Sequence, residues 1–215
     1  EISECLVGSE MCIRDSDTAY RKHAFTTAEG KDITIDSGFY GWRMNRSEET
    51  EELINLIKQG AVVEKEPVYI QTAASHGERD YGDTYVEINL SKQHLYFWEK
   101  GNIIIESDFV SGNMVKGMAT PGGIFPITYK ERNAVLKGTN YRTPVSYWMP
   151  FNGGIGMHDA PWRKQFGGTI YETNGSHGCI NLPVDVAREI YEHVAAGMPV
   201  ICYYCLLYTS PSPRD

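Results

Sequence analysis

The chain lacks several features that would have set its class at once. No apolar run approaches the roughly 20 residues of a membrane-spanning helix, and no basic-then-apolar signal peptide opens it. Lys and Arg number 20 against 28 Asp and Glu, for a net charge of −8, and they form no cluster. Nucleic-acid binding rests on phosphate neutralisation, so no nucleic-acid partner is expected. Cysteine is scarce, at five in 215 residues. That excludes a disulfide-built scaffold. The 21 glycines follow no collagen period. What the chain does have is apolar material, 41% of its residues. At about 100–200 residues per domain, that suffices for one full core and part of a second.

Both ends read as foreign. Residues 1–16 (EISECLVGSEMCIRDS) and 205–215 (CLLYTSPSPRD) have no helical or strand period and resemble translated adapter sequence. Setting them aside removes Cys5, Cys12 and Cys205, leaving Cys179 and Cys202. On that reading the natural N-terminus, with any membrane anchor, is missing.

Residues 17–83 carry one helix signal, SEETEELINLIKQG. Ser47 is its expected cap, acids fill the first turn, Leu53, Ile54, Leu56 and Ile57 form an apolar face, and Gly60 ends it. The polar run 71–83 reads as a linker. From residue 84 to 204 the pattern turns to strands. Tyr85 to Leu90 alternates with period two, His94 to Trp98 and Ile103 to Val110 complete a meander, and Ile124 to Tyr129 follows a Thr-Pro-Gly-Gly turn. Short strands are expected at 145–149 and 153–158, a helix after Pro183, and a last strand from Val200 to Tyr204. The fold class expected is mainly β with one or two helices (α+β), a sandwich or small barrel.

The chemistry concentrates in Asn174-Gly175-Ser176-His177-Gly178-Cys179-Ile180-Asn181. A cysteine nucleophile needs a base within reach and donors for the developing oxyanion. Gly178 allows a sharp turn before Cys179, and the N–H groups of both could converge on one spot. Two histidines compete for the role of base: His177, two residues away, and His158, at the end of Gly153-Gly154-Ile155-Gly156-Met157. Spacing alone does not choose between them. His158, His177 and Cys179 could also be zinc ligands, but they lack the CxxC or HExxH spacing usual for metal sites, so no metal is expected.

His158, seventeen intervening residues, and then Ser-His-Gly-Cys-Ile-Asn resembles the signature of the L,D-transpeptidase family, the YkuD-type catalytic domain. The similarity extends to Tyr85–Leu90, to the Thr120-Pro121-Gly122-Gly123 turn and to Asn181-Leu182-Pro183, and so covers residues 84–204. More loosely, 17–83 resembles the C-terminal part of an accessory peptidoglycan-binding domain of α/β type plus a linker.

The resemblance implies a YkuD-like β-sandwich and a cysteine acyl transfer without a cofactor. Cys179 is then the nucleophile and His158 the base, oriented by the Asp159 carbonyl. His177 shapes the oxyanion region, Gly178 and Cys179 supply backbone donors, and Ser176 and Asn181 hold the loop. Tyr147 or Tyr141 is the candidate site tyrosine, with Trp162 and Arg163 beside the cleft. Arg163 is a candidate to bind a substrate carboxylate. The implied partners are donor and acceptor peptidoglycan stem peptides, met outside the membrane of a Gram-positive-like bacterium. The implied reaction forms a 3→3 cross-link and releases D-Ala. Hydrolysis of the same thioester, and wall binding without catalysis, are the alternatives.

Overall fold

The computed structural model describes residues 17–77, 79–138 and 141–205. Tyr85–Asn89 (β5), His94–Glu99 (β6) and Asn102–Asp108 (β7) form the expected antiparallel meander. Pro199–Tyr203 (β13) runs parallel to β5 and antiparallel to Gly123–Pro126 (β8), giving the sheet order β7-β6-β5-β13-β8. The second sheet, in the order β12-β11-β10-β9, contains Glu131–Gly138 (β9), Tyr141–Asn152 (β10), Ile155–Asp159 (β11) and Ile180–Leu182 (β12).

The two sheets pack as a sandwich. Val86, Ile88, Leu95 and Phe97 from one meet Met149, Phe151, Met157 and Ile180 from the other. The helix Val184–His193 (α3) adds Ala187 and Ile190 to the same core. The short helix Ile170–Asn174 (α2) and strand β9 were not apparent from the sequence. β9 is a charged edge strand with only Ala134 buried, so it carries no alternating apolar signal.

β5 departs from its pattern in one respect: all five of its residues are buried. Val86 and Ile88 face the sandwich core, while Tyr85 joins a second core with Phe25, Ile35, Tyr40, Tyr81, Ile201 and Tyr203. The cover comes from the preceding segment, where His23–Thr26 (β1) and Asp32–Ile35 (β2) form a hairpin. Tyr81, within the stretch read as linker, is buried here too.

Arg43–Met44 (β3) pairs with Tyr69–Gln71 (β4), flanking the helix Arg46–Lys58 (α1). The cap of α1 is Asn45, not Ser47: Asn45 Oδ1 accepts from the Glu48 N–H. The expected apolar face is not what anchors this helix, since Ile54 and Ile57 are exposed. Its one buried residue is Glu49, whose carboxylate accepts from the Val68 N–H (2.7 Å) and Lys65 Nζ (2.9 Å).

Candidate active site

β11 and β12 are parallel neighbours, with His158 opposite Asn181 and Met157 opposite Ile180. This register brings together residues that are 23 positions apart in the sequence. Cys179 stands immediately before β12, so the thiol and the imidazole open into one cavity of about 250 Å³. Its walls include His158, Trp162, Arg163, Ser176, His177, Cys179 and Asn181.

His158 is buried between the rings of Trp148 and Trp162, with centroids 6.0 and 5.9 Å away. Its Nδ1 lies 2.8 Å from the Asp159 carbonyl, and its Nε2 lies 2.9 Å from Asn181 Nδ2. Burial pushes its pKa below the ordinary 6.5; the Asp159 contacts oppose this and the Arg163 charge assists it. The Asp159 carboxylate has a different task. Its Oδ1 accepts from the N–H groups of both Ser146 and Tyr147, each at 2.8 Å.

Tyr147 lies away from the cavity. The pairing of β10 with β9 keeps its register from Thr143 to Trp148. Val145 and Trp148 share one apolar cluster. Tyr147 instead packs against Tyr191 (5.4 Å) and receives a hydrogen bond from Arg132 Nη2. It does not line the cavity. The side chain of Tyr141 lies outside the described residues.

Cys179 is half-buried against the cluster of Ala134, Val145 and Trp148. Its Sγ lies 3.6 Å from the Gly154 carbonyl. Burial pushes the thiol pKa up, and the Gly156 N–H facing the sulfur pulls it down. The Gly153–Gly156 turn thus touches the sulfur directly, a contact with no signal in the sequence beyond its glycines.

The loop before the thiol is braced from within. Ser176 Oγ donates to the Cys179 carbonyl (2.6 Å) and accepts from the Gly178 N–H (3.0 Å). The Gly178 N–H thus braces the loop from within. Gly178 has φ +119°, and an added Cβ would press on Ile155 at 3.1 Å. Its conformation, rather than its N–H, is what requires glycine.

Thr120 is the residue that sequence reasoning missed. It read only as part of a turn, but its buried Oγ1 accepts from the Gly112 N–H (3.0 Å) and donates to the Gly178 carbonyl (2.7 Å). It ties the 112 loop to the loop of Cys179. Thr120→Val keeps the shape and strands both groups, each at roughly 1–3 kcal/mol when buried. The expected outcome is a loss of about 2–4 kcal/mol in urea unfolding together with slower acylation of Cys179. Unchanged stability would show that the bridge is idle.

Among the described residues, no group of three or more His, Cys, Asp or Glu could hold a metal ion. No helix there is long and apolar enough to cross a membrane.

The sandwich, with a cysteine heading one strand and a histidine on its parallel neighbour, has the fold of L,D-transpeptidases. A crystal structure of an Enterococcus faecium L,D-transpeptidase, a cysteine-to-serine mutant, superposes with TM-score 0.76 at 34% identity, covering 91% of this chain and 79% of that one. The catalytic domain of the E. faecium enzyme acylated by ertapenem gives TM-score 0.53 at 41% identity, over 60% of this chain and 100% of that one. The chain belongs to the L,D-transpeptidase catalytic domain (YkuD) family, which it matches over residues 83–202. YciB of Bacillus subtilis, assigned as an L,D-transpeptidase, is 28% identical over 54% of this chain. L,D-transpeptidase 2 of Mycobacterium tuberculosis is 27% identical over 41% of this chain. The matched parts amount to 64% of the first relative and 20% of the second.

Proposed function

We propose that this protein cross-links peptidoglycan by cysteine acyl transfer, forming 3→3 bonds outside the cell membrane. The observation that carries the reading is the β11–β12 register, which sets His158 and Cys179 in one cavity. Cys179 Sγ attacks the carbonyl of the third, L-configured residue of a stem tetrapeptide. Its proton passes to His158 Nε2, which first gives up its hydrogen bond from Asn181 Nδ2. The oxyanion forms beside the Cys179 N–H. The intermediate collapses, the C–N bond breaks, and D-Ala leaves with the proton from His158. The side-chain amine of a neighbouring stem then attacks the thioester carbonyl and gives its proton to His158; the C–S bond breaks, and the sulfur takes that proton back as the thiol.

The thioester retains the activation of the cleaved amide, so no nucleotide is consumed. Exclusion of water favours the amine over hydrolysis. Half-exposed Trp162 and the half-buried guanidinium of Arg163 form the mouth through which donor and acceptor pass. Residues 17–83 are assigned as an accessory segment and 84–204 as the catalytic unit.

The test is mass spectrometry of products from a defined disaccharide tetrapeptide donor. Cross-linked dimer with loss of one D-Ala is expected. Tripeptide alone, with no dimer at any acceptor concentration, would replace transpeptidation by hydrolysis. No product at all would favour wall binding without catalysis.

A further inference from the structure

Three hydrogen bonds form a chain that leads away from the base. Arg163 Nε donates to Asn181 Oδ1 at 2.8 Å, and Arg163 Nη1 donates to the Asn174 carbonyl at 2.9 Å. A guanidinium only donates, so the Asn181 atom facing it must be oxygen. The planar amide then turns Nδ2 toward His158 Nε2, 2.9 Å away. An amide nitrogen also only donates, so Nε2 must accept. The ring proton therefore sits on Nδ1, directed at the Asp159 carbonyl 2.8 Å away. Each step leaves one choice for the next.

We propose that Arg163 is a positioning residue that acts through Asn181 to hold His158 neutral and Cys179 as a thiol while no substrate is bound. Protonating Nε2 would set two N–H groups against each other. Rotating the amide to relieve them would turn its NH2 group on Arg163. Charging the imidazole thus costs both contacts. The sulfur meanwhile points to the Gly154 carbonyl, 3.6 Å away.

The other charges facing His158 are few. The Asp159 carboxylate favours the imidazolium but is occupied by the Ser146 and Tyr147 amides. The Arg163 charge disfavours it. His177 and Cys179 face it across the cavity, and β10 and β12 present only uncharged Trp148 and Asn181. A protonated thiol resists oxidation, which suits an enzyme working outside the cell.

The inference rests on Cys179 and His158 being nucleophile and base, but its first readout does not depend on turnover. Nitrogen-15 spectra of histidine side chains in the full chain should show His158 as the Nδ1–H tautomer at pH 7, still neutral below pH 6.5. In Arg163→Met, its titration should move upward. Iodoacetamide alkylation of Cys179 at pH 7, mapped by peptide mass, should rise about threefold or more as an imidazolium–thiolate pair becomes populated. Asn181→Ala removes the donor itself and must move both readouts the same way. Arg163→Lys, which keeps charge and a donor, should restore the parent values. An Nε2–H tautomer in the parent overturns the proposal. So does unchanged titration, or equal or slower alkylation, in Arg163→Met and Asn181→Ala. If the spectra match but no product forms from a tetrapeptide donor, the proposed function fails while this assignment stands.

Discussion

Cys179→Ala is expected to fold normally and to form no acyl-enzyme. Ertapenem, which acylates the E. faecium catalytic domain, should add its mass to the parent chain and none to the variant. Cross-linked dimer should fall by about 10⁴-fold or more, since removing a nucleophile eliminates the covalent route altogether. The fold should survive because Cys179 sits at the rim of a small cluster of Ala134, Val145 and Trp148, and not in the sandwich core. Losing one half-buried sulfur there costs about 1 kcal/mol. An adduct that persists in the variant would shift the chemistry to another group. Cys202 makes a poor substitute, being fully buried with its thiol pushed far above the ordinary range.

The second large effect falls on stability, at Glu87. Its carboxylate is buried on the outer face of β5 and receives three hydrogen bonds, from the Ala28 N–H (2.8 Å), Trp98 Nε1 (2.8 Å) and the Tyr203 hydroxyl (2.6 Å). Glu87→Ala strands all three donors under the β1–β2 hairpin. The expected cost is about 3–5 kcal/mol in urea unfolding, a large share of the roughly 5–15 kcal/mol of a typical domain. A loss below about 1 kcal/mol would rule out this clamp.

The same group predicts a pH dependence. Burial raises the Glu87 pKa above 4.5 against the pull of its three donors. The folded protein then holds a proton that the unfolded chain has released. Stability from this group is full below pH 4.5 and is lost as pH rises through the folded value. Glu87→Gln cannot titrate and should flatten that part of the stability–pH curve.

What the sequence made legible was what lies close together along it. Ser176 to Asn181 is one short run, so its chemistry could be read without a fold. The meander β5–β7 was legible from apolar alternation. Contacts made only by the fold were not. Thr120 reaches Gly178 across 58 positions, and nothing in a Thr-Pro-Gly-Gly turn announces that. Tyr147 fits the strand pattern, but its ring packs on Tyr191, a neighbour that only the fold supplies. The burial of Tyr85 and Glu87 depends on a hairpin 50 residues upstream, so period two in β5 suggested one wet face where there is none.

Base and thiol are joined across a pair of strands, and of the polypeptide between them it is Arg163 and Ser176 that brace the alignment. Residues 164–173 wander out from the end of β11 and return by α2 before Ser176. None of residues 164–173 lines the cavity, so insertions or deletions in that excursion should leave the reacting atoms in place. Evolution, or an engineer, thus has a stretch of chain whose length can vary apart from the machinery that acts on the substrate.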